Sequence, residues 1–177
     1  MARCREPLSF TSLSQSFRNS CTFTSRPALT RMTGLLRATA RAADPEWSSH
    51  KSVTPFAWPN ADGRDLSLIP APNGGTEFLF LYELSEGRMA LAARDGIRIE
   101  CRFDREVFPC CWYFASHGAM DGAVTGVLEP CTTMPLSVNE AITQGFCSRL
   151  PAGATLATTV EWSVTAGPYK STQGPIL

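Results

Sequence analysis

Three side chains in this sequence stand out as groups able to move protons near neutral pH: His50, His117 and Glu129. Glu129 ends the apolar run from Ala123 to Leu128 and is followed at once by Pro130. Its carboxylate would then stand at the rim of a cleft, where apolar neighbours raise its pKa. A carboxylate and an imidazole on opposite sides of a bound molecule form a general acid–base pair. The plainer alternative makes Glu129 a structural carboxylate that accepts hydrogen bonds from the loop of Thr132 and Thr133. His117 falls in a glycine-containing stretch, and its plainer alternative is a solvated loop side chain.

Other chemistries lack their residues. The seven cysteines do not have the spacing of a metal site: Cys110 and Cys111 are adjacent, the rest are scattered, and no Cys-x-x-Cys occurs. They read as buried, reduced thiols of a cytosolic-type compartment, with no metal and no cofactor implied. Neither a glycine-rich phosphate loop nor a nucleophile elbow is present.

The elements that must position these groups are strands. From Pro55 onward, short apolar pieces alternate with Gly, Pro, Asn and Asp. The segment Pro59-Asn60-Ala61-Asp62-Gly63 reads as a turn. The run from Glu77 to Leu84 suits a strand buried on both faces. Ile97, Ile99, Cys101 and Phe103 alternate with Arg98, Glu100 and Arg102, the pattern of a half-buried strand. Val107 to Ala115, Ala123 to Glu129 and Thr155 to Val164 complete the series, with a loop expected from Gly118 to Gly122. Ser137 with Glu140 three residues on predicts a capped helical turn or two over 138–144. The class is all-β, an antiparallel β-sandwich, in one domain spanning 44–177.

The first 43 residues obey different rules. They hold seven arginines and a single acid, Glu6. Set against sixteen basic and sixteen acidic residues in all, this leaves nine basic and fifteen acidic from Asp44 onward, a net of −6. An acidic globular part argues against nucleic acid as the partner. The Arg/Ser-rich head reads as a transit peptide or as translated sequence never selected to fold, and on either reading is expected to be disordered. An RNA-binding arm is the third reading, without glycine or aromatic interleaving to support it. The location expected is cytoplasmic, or organellar if the head directs import. No apolar run is long enough for a membrane helix, so no membrane partner is expected.

An ordered series of residues carries a resemblance. Phe108-Pro109, Trp112, Gly118 and Gly122 are followed by Val127-Leu128-Glu129-Pro130-Cys131-Thr132, then by Pro135, Glu140-Ala141, Gly145, Leu150 and Gly153. Upstream stand Pro55-Phe56, Trp58-Pro59 and Asp65-Leu66-Ser67. The series is similar to the middle and C-terminal sections of the galactose mutarotase (aldose 1-epimerase) family, over about 50–164. That resemblance implies a β-supersandwich with a sugar in an open cleft, and an isomerase in which a glutamate is the base and a histidine the acid. By its place in the motif Glu129 would be the base. Trp47 and His50 resemble the family's Trp-x-x-His segment, which would make His50 the acid, with His117 the other candidate. Trp112 is offered as the flat apolar surface on which a pyranose stacks.

Members of that family have roughly twice the β-structure of this chain. A half sandwich leaves strand edges unpaired and implies self-association through them. Three functions follow for a small-molecule sugar partner: anomer interconversion, non-catalytic carbohydrate binding, or a truncated inactive fragment.

Overall fold

The computed structural model describes the backbone of residues 2–11, 21–25, 29–33, 38–93 and 96–166, and side chains from residue 38 onward. In chain order the first strands are β1 (Ala2–Thr11), β2 (Cys21–Ser25), β3 (Leu29–Thr33), β4 (Thr39–Ala42), β5 (Phe56–Ala57), β6 (Asn60–Ala61) and β7 (Arg64–Asp65). There follow β8 (Gly75–Tyr82), β9 (Arg88–Ala93), β10 (Ile97–Arg102), β11 (Cys110–Met120), β12 (Ala123–Cys131), helix α1 (Val138–Gln144) and β13 (Thr155–Ala166).

These strands form a five-stranded sheet, β1-β13-β10-β9-β3, and a six-stranded sheet, β2-β12-β11-β8-β4-β5, with β6 and β7 as a separate hairpin. Every pairing is antiparallel. Asp62 and Gly63, both at positive φ, make the two-residue turn of the β6–β7 hairpin.

The core lies between the two sheets and follows the period of two. Leu79 and Leu81 of β8, Cys111, Tyr113 and Ala115 of β11 and Leu128 of β12 point inward. They meet Met89, Leu91, Cys101 and Val160 from the other sheet. The Cys111 and Met89 sulfurs stand 3.9 Å apart across this layer. Burial pushes the Cys111 thiol well above its ordinary range, so it behaves as an inert core residue. Cys101, Cys110 and Cys131 are buried as well.

Gly87 marks a close backbone approach, since a Cβ there would lie 1.8 Å from the Phe103 carbonyl oxygen. Phe103 donates its N–H to the Gly87 carbonyl at 2.9 Å, which ties the entry of β9 to the exit of β10.

On the outer face of β10, Glu100 joins Arg88, Arg98 and Arg102 at 2.9, 3.0 and 2.8 Å. Burial alone would raise its pKa, but the arginine hydrogen bonds and charges hold it below the usual carboxylate range.

Helix α1 forms as its signals require. Ser137 Oγ accepts from the Glu140 N–H at 3.4 Å, and Gly145 ends the helix at φ 74°. Among the described residues no helix is long and apolar enough to cross a membrane.

The composition break at 43/44 does not mark the first packed strand. Ala38, Ala40 and Ala42 alternate into the interior, and Thr39–Ala42 pairs with β8. Segments 2–11, 21–25 and 29–33 of the head pair at sheet edges. Residues 1, 12–20, 26–28 and 34–37 of the head lie outside the described residues.

Candidate functional site

The outer face of the six-stranded sheet carries the arrangement with chemical potential. Register places Arg41 opposite Phe80, Phe80 opposite Trp112, and Trp112 opposite Glu129. One row across four strands therefore reads cation, two aromatic rings, carboxylate. Phe78, Phe114 and Val127 form the next row on the same face. Trp112 packs edge-on to Phe80 and Phe78 at centroid distances of 5.3 and 5.9 Å. The Arg41 guanidinium lies 5.2 Å over the Phe80 ring, a cation–π contact. Trp47 leans on Phe114 at 6.1 Å and stands at the end of the floor. At the end marked by Cys110, a cavity of about 420 Å³ opens between Tyr82, Glu83, Thr132, Phe146 and Cys147. It is within the size range of small-molecule sites.

Glu129 is half-buried, flanked on its own strand face by Val127 and Cys131 and across it by Trp112. The Thr133 hydroxyl has no hydrogen-bond partner among the described residues. The Thr133 carbonyl is used instead, by the Trp112 indole N–H at 2.8 Å and the Cys110 thiol at 3.2 Å. The Cys110 thiol is pushed up to about 12 by burial, so it stays protonated and can donate that bond.

The structure brings together Glu129 and Trp112 and keeps both histidines away from them. Trp112 is only 3% exposed and its N–H is occupied, so it is a buried support of the floor rather than an open stacking surface. His117 is not a solvated loop residue. Strand β11 starts after Pro109 and runs through to Met120, and His117 shares the inner face with Tyr113 and Ala115. It is 5% exposed, and burial holds its imidazole below the usual range. His50 is also buried, with Nδ1 3.3 Å from the Asp62 carboxylate and its ring edge-on to Phe56 of β5. Strands β11, β8 and β4 lie between β12, which holds Glu129, and β5.

Beside His50, Glu77 is almost wholly buried on the inner face, opposite Ala115. Burial pushes its carboxyl above the usual range, partly offset by the backbone N–H groups of His50 and Ser49 and by the charges of Arg64 and Lys51. The Ser49 hydroxyl donates to the same carboxylate.

Arg41 is a site element that composition hides. Arg41 sits among six other arginines of the head, where its charge looks like one of a disordered set. The readable signal is the alternation of Ala38, Ala40 and Ala42 around it, a strand too short to register as a periodic run.

No family model matches the chain, and no curated protein matches it in sequence. Among solved structures, the Slr1438 protein from Synechocystis sp. PCC 6803 is similar, with a TM-score of 0.53 at 17% identity over 93% of this chain and 51% of that one. A putative aldose 1-epimerase from Klebsiella pneumoniae subsp. pneumoniae MGH 78578 gives a TM-score of 0.56 at 11% identity over 92% of this chain and 42% of that one. The chain thus shares a β-sandwich fold with both. It spans about half the length of the first and about two fifths of the second.

Proposed function

We propose that the outer face of the six-stranded sheet is a carbohydrate cleft of the aldose 1-epimerase type, with Glu129 as its base. The observation that supports this most is the row Arg41–Phe80–Trp112–Glu129, which sets hydrogen-bonding charge at both ends of an apolar floor. A pyranose is amphipathic in the same way, with C–H faces and a hydroxyl rim. Arg41 would hold ring hydroxyls through its N–H donors. Glu129 would take the proton of the anomeric hydroxyl as the C1–O5 bond breaks and the carbonyl forms. When the ring closes, O5 attacks either face of the C1 carbonyl and gives its proton back to the conjugate base of the acid, while Glu129 returns its proton to O1.

The acid that protonates O5 is the weaker part of the constellation. His50, which the family resemblance puts forward for that role, is held on Asp62 beside β5 and would have to leave it to reach the floor. With neither His50 nor His117 on that face, solvent water at its edge is the donor at hand. That placement favours a second reading, in which the cleft binds a sugar without interconverting its anomers at an enzymatic rate.

Binding is tested by thermal melting of the full chain with and without millimolar D-glucose, D-galactose or D-mannose. An upward shift with one of them is expected, because a ligand that binds only the folded state stabilises it by mass action. Identical melts with all three sugars would remove the carbohydrate reading.

A further inference from the structure

We infer that Trp47 is the surface on which the ligand stacks, and that the ligand is a pyranose whose C–H groups gather on one ring face. This rests on the carbohydrate reading above and names the contact which that reading leaves open. The rings of the floor are largely taken. Trp112 and Phe80 are 3% and 2% exposed, and Phe80 is covered by the Arg41 guanidinium. Phe78 and Phe114 are half-buried, and Phe114 carries Trp47. Trp47 itself is 47% exposed.

A half-exposed Trp on a loop is ordinarily a scattered surface hydrophobe. Here the loop is fixed. Asp44 accepts from the Trp47 N–H at 3.1 Å through its carbonyl and from the Glu46 N–H at 2.8 Å through its side chain. Ser48 Oγ donates to the Phe78 carbonyl at 2.6 Å and accepts from the Phe78 N–H at 2.9 Å, standing in for a strand partner where β4 has ended. The Ser49 N–H donates to the Thr76 carbonyl at 3.1 Å, and its hydroxyl donates to the buried Glu77 carboxylate. An exposed ring on so restrained a loop loses little freedom when it binds, which is how a stacking platform gains affinity. Its place also fits. Phe114 is the cross-strand partner of Val127, so Glu129, two residues on, is the diagonal neighbour of Phe114, about 7–8 Å away between Cα atoms. A single sugar ring lying on Trp47 and Phe114 would therefore present its rim to Glu129.

The test is isothermal titration of the full-length protein with D-glucose, D-galactose and D-mannose, using wild type, Trp47→Ala and Trp47→Phe. Loss of the ring should weaken binding of the preferred hexose roughly tenfold, while Phe should restore it to within about threefold. Melting temperature should hardly move in either variant, since the ring is exposed. In wild type the tryptophan emission should shift on binding, and that shift should vanish in Trp47→Phe. Wild-type affinity in Trp47→Ala would overturn the stacking role and leave the carbohydrate cleft standing. A wild-type protein that binds none of the three hexoses would overturn both.

Discussion

Replacing Trp112 by Phe separates the two roles that its position suggests, support and ligand contact. The substitution keeps an aromatic ring between Phe78 and Phe80 but removes the N–H that donates to the Thr133 carbonyl at 2.8 Å. That hydrogen bond is worth about 1 kcal/mol net. Trimming a fully packed ring adds about 1–2 kcal/mol for lost contacts and residual cavity, because Phe80, Cys110, Cys131 and Met134 close around it. The sum is about 2–3 kcal/mol, which for a chain of this length lowers Tm by roughly 4–12 °C. The assay is a circular-dichroism melt alongside a hexose titration. A clear drop in Tm with sugar affinity within about twofold of wild type, allowing for the changed fold equilibrium, is the expected pair. An unchanged Tm with binding abolished would refute the reasoning and make Trp112 a ligand contact after all.

Two further predictions concern the scaffold. Gly87→Ala should cost about 2–4 kcal/mol, because the added methyl drives the Phe103 backbone away and breaks its hydrogen bond. Gly153→Ala, with open space around it but φ +77°, should cost only about 1–2 kcal/mol; equal melts for the two variants would contradict the close approach at Gly87. Glu77 and Glu100 should impose opposite pH dependences. The folded-state pKa of Glu77 is raised, so its contribution falls as pH rises above the ordinary value of 4.5, and Glu77→Gln should flatten that fall. The folded-state pKa of Glu100 is lowered, so its stabilisation is present above 4.5 and lost as pH drops through the lower value; Glu100→Gln should remove the acid-side loss. Urea midpoints of the three proteins between pH 3 and 8 check both signs, and parallel curves would refute the assignment.

How far the sequence could be read depended on whether a pattern was local. The alternation over 97–103 located β10, and Ser137 with Glu140 located α1, because period and capping are properties of neighbouring residues. The β-sandwich class followed from such pieces. The motif singled out Glu129 and Trp112 separately; their meeting on one face is a matter of cross-strand register, which the sequence does not display. His50 and His117 were legible as titratable groups but not as to their facing. His117 stands on a strand that runs five residues past Ala115, where the apolar run ends. His50 is fixed by Asp62, twelve residues on, at the turn of a hairpin paired apart from the two main sheets. Arg41 is not legible as a site residue in the sequence, because its meaning depends on a cross-strand neighbour, Phe80, thirty-nine positions away. Long-range pairing of that kind leaves no local periodic trace.

The central claim, a sugar cleft in which Glu129 is the base, is tested most directly by following the optical rotation of freshly dissolved α-D-glucose and α-D-galactose with wild type and Glu129→Gln. Wild type should speed the approach to anomeric equilibrium for at least one sugar. Glu129→Gln should reduce that rate by about 10²–10⁴-fold with its melting temperature preserved. A wild-type rate retained in Glu129→Gln, or no acceleration of either sugar by wild type, would contradict the assignment of Glu129 as the base.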